Sequence, residues 1–183
     1  MKVHSTELDG VLIIEPRVFA DRRGYFMESY QKQRYREAGI HTEFVQDNIS
    51  HSVRHTLRGL HYQYPNAQAK LVQVLQGEIY DVAVDVRQGS PTFGRWAGVI
   101  LSAENQRQFF LPEGFAHGFC VMSATALFMY KCSAYYAPED EVGFCWNDPD
   151  LRITWPVQAP ILSERDRRLP SLSGLAAHRL PRY

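Results

Sequence analysis

The chain has 183 residues, and 20 Lys plus Arg are balanced by 20 Asp plus Glu, so it carries no formal net charge. That balance argues against a general nucleic-acid or membrane-surface binder while leaving room for a local basic pocket that takes a small anion. Three cysteines, Cys120, Cys132 and Cys145, fit no zinc spacing and point to free thiols in a reducing compartment. The opening MKVHSTELDG lacks the apolar stretch of a secretory signal, and runs such as Val11–Ile14 are too short to span a bilayer. The expectation is a soluble cytoplasmic protein with no nucleic-acid or membrane partner.

In chain order, strands are predicted over Val11–Glu15, Thr42–Ser50, Thr56–Gln63, Lys70–Gln76, Glu78–Arg87, Trp96–Ser102, Gln108–Leu111, His117–Met122 and Ala126–Ala134. A single helix is predicted over Gln31–Ala38, stopped by Gly39, with a further helical turn over Ser163–Arg167. Turn signals stand at Gln76-Gly77, Gln88-Gly89-Ser90-Pro91 and Leu111-Pro112-Glu113-Gly114. Many short strands and few helices argue for an all-β fold, a jelly-roll barrel or sandwich. One domain is expected over 1–183, with its jelly-roll core at about 42–135, N-terminal strands and helix over 1–41, and a C-terminal segment over 136–183. The Ser- and Pro-containing tail after Leu169 is expected to pack loosely or to cover a neighbour. The 13% of aromatic residues suits a β-rich core, and also a platform for a sugar or a base.

Five segments carry polar groups where an apolar strand or turn would not need them. In Leu57-Arg58-Gly59-Leu60-His61-Tyr62-Gln63, His61 and Gln63 share a face, and Arg58 joins them only if Gly59 introduces a bulge. Leu111-Pro112-Glu113-Gly114-Phe115-Ala116-His117-Gly118-Phe119 resembles the second half of a cupin signature. A metal cupin would need a second imidazole where Gln63 stands, and amide oxygen is a poor ligand for zinc or iron, so no metal is expected. Lys70 opens an apolar strand, where an unpaired buried ammonium is costly, and Asp81 and Asp85 on the next strand are its possible partners. Tyr130, Cys132, Ala134 and Tyr136 share one parity. Ser163-Glu164-Arg165-Asp166-Arg167-Arg168, taken alone, reads as a solvated charged face.

Together these segments closely resemble the dTDP-4-dehydrorhamnose 3,5-epimerases, sugar-nucleotide epimerases on a cupin jelly roll. The resemblance runs from about Val11 to about Leu169. It includes Glu15-Pro16-Arg17-Val18-Phe19, Asp21-Arg22-Arg23-Gly24, Phe44-Val45-Gln46-Asp47-Asn48, Ser90-Pro91-Thr92-Phe93-Gly94 and Leu162-Ser163-Glu164-Arg165-Asp166, besides the His61, His117 and Tyr130 segments. It implies a cofactor-free isomerase acting on a dTDP-4-keto-6-deoxy sugar, on a route to bacterial surface polysaccharide. In that pattern His61 is the base, Asp166 its carboxylate partner, Tyr130 the acid, and Lys70 the stabiliser of the enolate oxygen. Arg23, Phe26, Glu28, Gln46, Asp47, Asn48, Arg58, His117, Glu141 and Arg165 match substrate contacts, and Tyr136 matches the aromatic that stacks on thymine. Arg165 stands where lysine is common, and Met27 where an aromatic is often found. The resemblance also implies a homodimer in which Arg23, Phe26 and Glu28 serve the other chain's site. Single-carbon epimerases, a ketoisomerase and a sugar-nucleotide binding module without catalysis share enough of these motifs to stay open as alternatives.

Overall fold

The computed structural model covers residues 1–183, and its strands arise wherever apolar residues alternate or run between turn residues. Six strands form one antiparallel sheet: β1 (Lys2–Ser5), β2 (Leu12–Glu15), β5 (Gln46–Val53), β7 (Lys70–Gln76), β10 (Gln108–Leu111) and β12 (Thr125–Cys132), in the order β1-β2-β10-β7-β12-β5. Five strands form the other: β6 (Leu57–Gln63), β8 (Glu78–Asp85), β9 (Trp96–Ser102), β11 (Phe115–Val121) and β13 (Glu141–Gly143), in the order β13-β6-β11-β8-β9. A separate hairpin pairs β3 (Val18–Asp21) with β4 (Gly24–Met27).

The two sheets face each other across one apolar layer. Val72, Val74, Phe109 and Phe128 of the larger sheet meet Ile79, Ala83, Leu101, Phe115 and Phe119 of the smaller. This is the jelly-roll sandwich expected from the strand pattern. The smaller sheet is also covered behind, where Leu60, Val82, Val84 and Ala116 pack on Phe144, Leu151, Leu172 and Leu180. Strand β8 is therefore apolar on both faces, with Asp81 and Asp85 fully buried among its inward residues. Helix α1 (Lys32–Glu37) lays Tyr35 on the outer face of the larger sheet, against Ile14, Leu71 and Phe110, with Gln31 as its N-cap.

Several predicted bounds shift. The helix is two residues shorter than expected, the turn near Ser163 is a 3-10 turn over Asp166–Arg168, and β5 begins at Gln46, not Thr42. Strands β1, β3, β4 and β13 carry little periodicity of their own; they exist because a neighbour supplies the hydrogen bonds. The tail after Leu169 is not loose. Leu172 and Leu180 are buried in the second core, Gln88 N donates to Pro181 O, and Tyr183 N donates to Gln88 O. No helix is long and apolar enough to cross a membrane.

Candidate active site

A cavity of about 640 Å³ opens at one end of the sandwich, between β5, β7 and β12 on one side and β6, β11 and β13 on the other. Period-two alternation decides who lines it. Gln46, Asn48 and Ser50 of β5 point in together with Tyr130 and Cys132 of β12 and Lys70 of β7. On the opposite sheet His61 pairs with His117 and Arg58 with Phe119, so three steps along β6 match two along β11. That bulge is what lets Arg58 and His61 share the inner face despite opposite parity. Gly59 permits it: φ is +125°, and a Cβ there would lie 2.5 Å from Gly118 Cα.

His61 Nε2 lies 2.7 Å from Asp166 Oδ1, a carboxylate brought by the 3-10 turn and tied by its backbone N–H to Ser163 Oγ at 3.0 Å. Burial pushes the Asp166 carboxyl up, but the hydrogen bond from His61 and its charge outweigh that, and the net shift is downward. The other ring nitrogen, Nδ1, has Glu141 Oε1 at 3.9 Å. Glu141 itself is held by Arg165 and by the Tyr136 hydroxyl, which donates at 2.8 Å. Burial raises its carboxyl, and Arg165, Tyr136 and His61 bring it below the ordinary range.

Across the cavity, burial first and then the neighbouring Cys132 and Glu141 raise the Tyr130 phenol, which keeps it protonated. Lys70, register partner of Cys132, is lowered by burial against the opposing pull of Cys132, Glu141 and Asp81. Arg58 Nε donates to Ser52 Oγ at 3.1 Å, and His117 Nε2 sits 3.0 Å from both Asp81 oxygens. Gln46 accepts from Tyr136 N at 3.0 Å and so holds the aromatic at the rim. Gln63, at the position of a cupin metal ligand, is engaged otherwise. Its amide donates to Asn66 O and Tyr135 O and accepts from Ala137 N, fastening the loop that carries Tyr136. No group of three or more His, Cys, Asp or Glu side chains is arranged to hold a metal.

Eleven sequence-proposed residues thus meet in one cavity: Gln46, Asn48, Arg58, His61, Lys70, His117, Tyr130, Tyr136, Glu141, Arg165 and Asp166. Four do not. Asp47 lies between Gln46 and Asn48, so alternation turns it outward, where it pairs with Lys131 at 2.9 Å. Arg23 and Phe26 sit on the exposed β3–β4 hairpin, Arg23 bound to Asp21, and Glu28 just beyond it pairs with Arg34 at 3.2 Å. The motifs missed the apolar wall of Leu57, Phe119 and Phe128, and Gly143, whose added Cβ would lie 2.9 Å from His61 Cδ2. Those wall residues carry no signal beyond being apolar; Gly143 could have been found only once β13 was seen to pair with β6.

Residues 5–174 match the family model described as dTDP-4-dehydrorhamnose 3,5-epimerase. The chain belongs to the dTDP-4-dehydrorhamnose 3,5-epimerase family. A family enzyme from Shigella flexneri, named dTDP-4-dehydrorhamnose 3,5-epimerase, is 56% identical over 168 residues, covering 91% of this chain and 93% of its own. The crystal structure of the Legionella pneumophila Philadelphia 1 dTDP-6-deoxy-D-glucose-3,5-epimerase, in complex with dTDP-4-keto-L-rhamnose, superposes with a TM-score of 0.97. It is 53% identical and covers 100% of this chain and 98% of that one. A 3'-monoepimerase from Streptomyces bikiniensis, in complex with dTDP-quinovose, is more distant at 38% identity, TM-score 0.91, with 98% and 93% coverage. This epimerase is accordingly an isomerase with the family's cupin-like fold.

Proposed function

We propose that the enzyme converts dTDP-4-dehydro-6-deoxy-D-glucose into dTDP-4-dehydro-L-rhamnose by inverting C3 and C5. One observation carries the reading: His61, held by Asp166 of the 3-10 turn, stands on the smaller sheet and Tyr130 on the larger, lining one cavity from opposite sides. Inversion next to a ketone requires that arrangement, because the proton leaves one face of the ring and returns to the other.

The C4 ketone acidifies the hydrogens on both neighbouring carbons. His61 donates its Nε2–H to Asp166, which leaves the Nδ1 lone pair to take the proton, and Asp166 stabilises the imidazolium that forms. The electron pair moves onto the C4 oxygen, where Lys70 meets the developing charge. The Tyr130 phenol then protonates the carbon from the opposite side. Exchange with solvent returns a proton to the phenolate and removes one from the imidazolium, and the cycle repeats at the second carbon. Arg58, His117, Gln46, Asn48, Glu141 and Arg165 bind the substrate, and Tyr136 stacks on the base; the planar arginine fork suits a diphosphate.

A second copy of the chain completes the site. The hairpin exposes Phe19, Tyr25 and Phe26, and β5 with the residue before it exposes Val45, Ile49 and Val53, apolar side chains that a partner subunit would cover. On that reading Arg23, Phe26 and Glu28 reach the partner's substrate, and Asp47 contributes at the interface. Three free cysteines suit a cytoplasmic enzyme, and the product suits surface-polysaccharide synthesis, including lipopolysaccharide O-antigen.

The test is purified protein with the 4-keto sugar nucleotide in deuterated water, followed by NMR. Two deuterium atoms per product, at C3 and C5, is the expected result; one identifies a monoepimerase, and none a binding module. Tyr130→Phe is expected to abolish turnover, and an active variant points to ketoisomerisation without inversion.

A further inference from the structure

The inner face of β5 is a row of polar side chains, and one of them is left over. Gln46 donates its amide to Asn48 Oδ1 at 3.1 Å and accepts from Tyr136 N. Asn48 Nδ2 lies 3.7 Å from Cys132 Sγ, and Ser52 Oγ accepts from Arg58 Nε at 3.1 Å. Ser50 stands between these paired neighbours and has no partner. Its Oγ, with less than 1 Å² exposed, is the only buried side-chain nitrogen or oxygen in the molecule that makes no hydrogen bond. An orphaned hydroxyl costs folding free energy, and alanine would fill the same place without that cost.

The protein around Ser50 offers the hydroxyl nothing. Ser50 faces Phe128 across the β5–β12 ladder, and Phe128 stacks on Phe119 with ring centroids 4.5 Å apart. Both rings and Leu57 line the cavity that Ser50 lines. Because the hydroxyl makes no bond where it now points, turning about χ1 into the cavity gives none up. Position along β5 says which part of a ligand it would meet. Gln46 holds Tyr136 at the rim, and Asn48 is the register partner of Tyr130. Ser50 lies one inward step beyond Tyr130, away from the aromatic that stacks on the base. That is the sugar end of the cavity.

We propose that Ser50 is a substrate-binding residue for the sugar: its hydroxyl turns into the cavity and pairs with a ring hydroxyl of the bound deoxyhexose. The proposal rests on the substrate reading given above. The hexose named there has two free hydroxyls, on C2 and C3, so the partner is one of them. The hydroxyl is unpaired in the free protein and is satisfied when the sugar arrives, so its whole hydrogen bond counts toward binding.

The test compares wild type with Ser50→Ala on three sugar nucleotides: the 4-keto substrate, its 2-deoxy analogue and its 3-deoxy analogue. Deuterium uptake at C5, which all three share, gives kcat/KM by NMR. On the full substrate Ser50→Ala is expected to lose about tenfold in kcat/KM. Affinity for thymidine diphosphate, which has no hexose, is expected to stay within about twofold. The melting temperature is expected to be equal or higher, since an orphaned group has been removed. On one deoxy analogue the two enzymes are expected to become equal, and that analogue identifies the contacted hydroxyl. Ser50→Cys keeps the volume, replaces the oxygen with a weaker partner, and is read by the same rule should the alanine variant not fold.

A Ser50→Ala enzyme with wild-type kcat/KM on the full substrate overturns the proposal. So does a loss that persists undiminished on both analogues, because no ring hydroxyl is then the partner. A lower melting temperature with unchanged kcat/KM also overturns it, and makes Ser50 a structural hydroxyl. The reading of the cavity fails separately: wild type that takes up no deuterium at C3 or C5 removes the epimerase, whereas wild type that takes up both while Ser50→Ala equals it removes only the role of Ser50.

Discussion

The imidazoles of His61 and His117 line the cavity as direct cross-strand neighbours, each bound through Nε2 to a buried aspartate, yet the two pairs differ in geometry and setting. His61 meets one oxygen of Asp166 at 2.7 Å, keeps 22% of its side chain exposed, and holds its carboxylate below the ordinary range. His117 meets both oxygens of Asp81 at 3.0 Å, is sealed by two phenylalanines, and its carboxylate is pushed up by burial. The difference lies in the carriers. Asp166 sits on a 3-10 turn at the rim, where its partner can pass a proton to water; Asp81 sits mid-strand in an apolar layer, where no proton can leave. A base that must turn over needs the first environment, and a fixed electrostatic element needs the second.

The strongest way to break this contrast is to remove the rim carboxylate. Asp166→Asn is expected to lower kcat by about a thousandfold or more, by analogy with other base-orienting aspartates, with little change in nucleotide affinity. NMR initial rates and thymidine diphosphate titration check both. The depressed Asp166 carboxyl also stabilises the fold. Its contribution is complete above the unfolded pKa of about 4 and fades only as pH falls through the lower folded value. The melting temperature of the wild type should therefore fall below about pH 4 more steeply than that of Asp166→Asn.

How much of this was legible before the fold was known depends on whether a residue acts through its own parity or through a neighbour. The shared face of Tyr130 and Cys132 followed from alternation within one strand, whereas the bulge at Gly59 and the inward direction of Lys70 were open in the sequence and are decided by pairing with neighbouring strands. The run Gln46-Asp47-Asn48 was read as three contacts, though three consecutive strand residues cannot share a face; the family pattern outweighed parity there. Strand β13 and the hairpin strands could not be read locally, because they depend on partners far along the chain. The tail after Leu169 looked loose because its anchors, Leu172 and Leu180, are isolated among small residues and find a surface only once the smaller sheet exists.

Gly143 sharpens the comparison on the side of His61. It pairs with His61 across β13 and β6, and a methyl group there would meet the ring at 2.9 Å and Leu169 Cδ1 at 2.9 Å. The methyl crowds both side chains, and any movement of the ring disturbs its 2.7 Å contact with Asp166. Gly143→Ala is therefore expected to displace His61 by a few tenths of an ångström and lower kcat about ten- to a hundredfold, with KM nearly unchanged. A crystal structure of the variant with an undisturbed ring would remove the explanation. No glycine backs His117 in the same way; Gly118 instead protects the close approach of β6 to β11.

A third buried aspartate gives the contrast a control with no role in the cavity. Asp85 accepts from Arg87, Ser90 and Thr92 at 2.6 to 2.9 Å, and Arg87 is stacked between Phe115 and Tyr183. Burial raises this carboxyl, but those donors together bring it below its ordinary value. Asp85→Asn breaks a buried ion pair and is expected to cost about 3 kcal/mol of stability, while kcat of the folded enzyme stays as it was. Chemical denaturation and steady-state rates measured on one preparation decide it.

The smallest stability effect belongs to Asp81, and its sign separates it from the other two. A carboxyl whose folded pKa is raised binds its proton more tightly in the native state than in the unfolded chain. Its ionised form therefore costs stability above that folded value, and the cost is relieved as pH falls through it toward the unfolded value. Asp81→Asn removes the charge, keeps an acceptor for His117 Nε2, and is expected to leave the melting temperature at pH 7 unchanged or slightly higher. Asp166→Asn and Asp85→Asn are expected to lower it. If all three fall together, Asp81 is one more structural carboxylate. If Asp81 alone does not, the fold is carrying an unfavourable charge where only the His117 imidazole meets it.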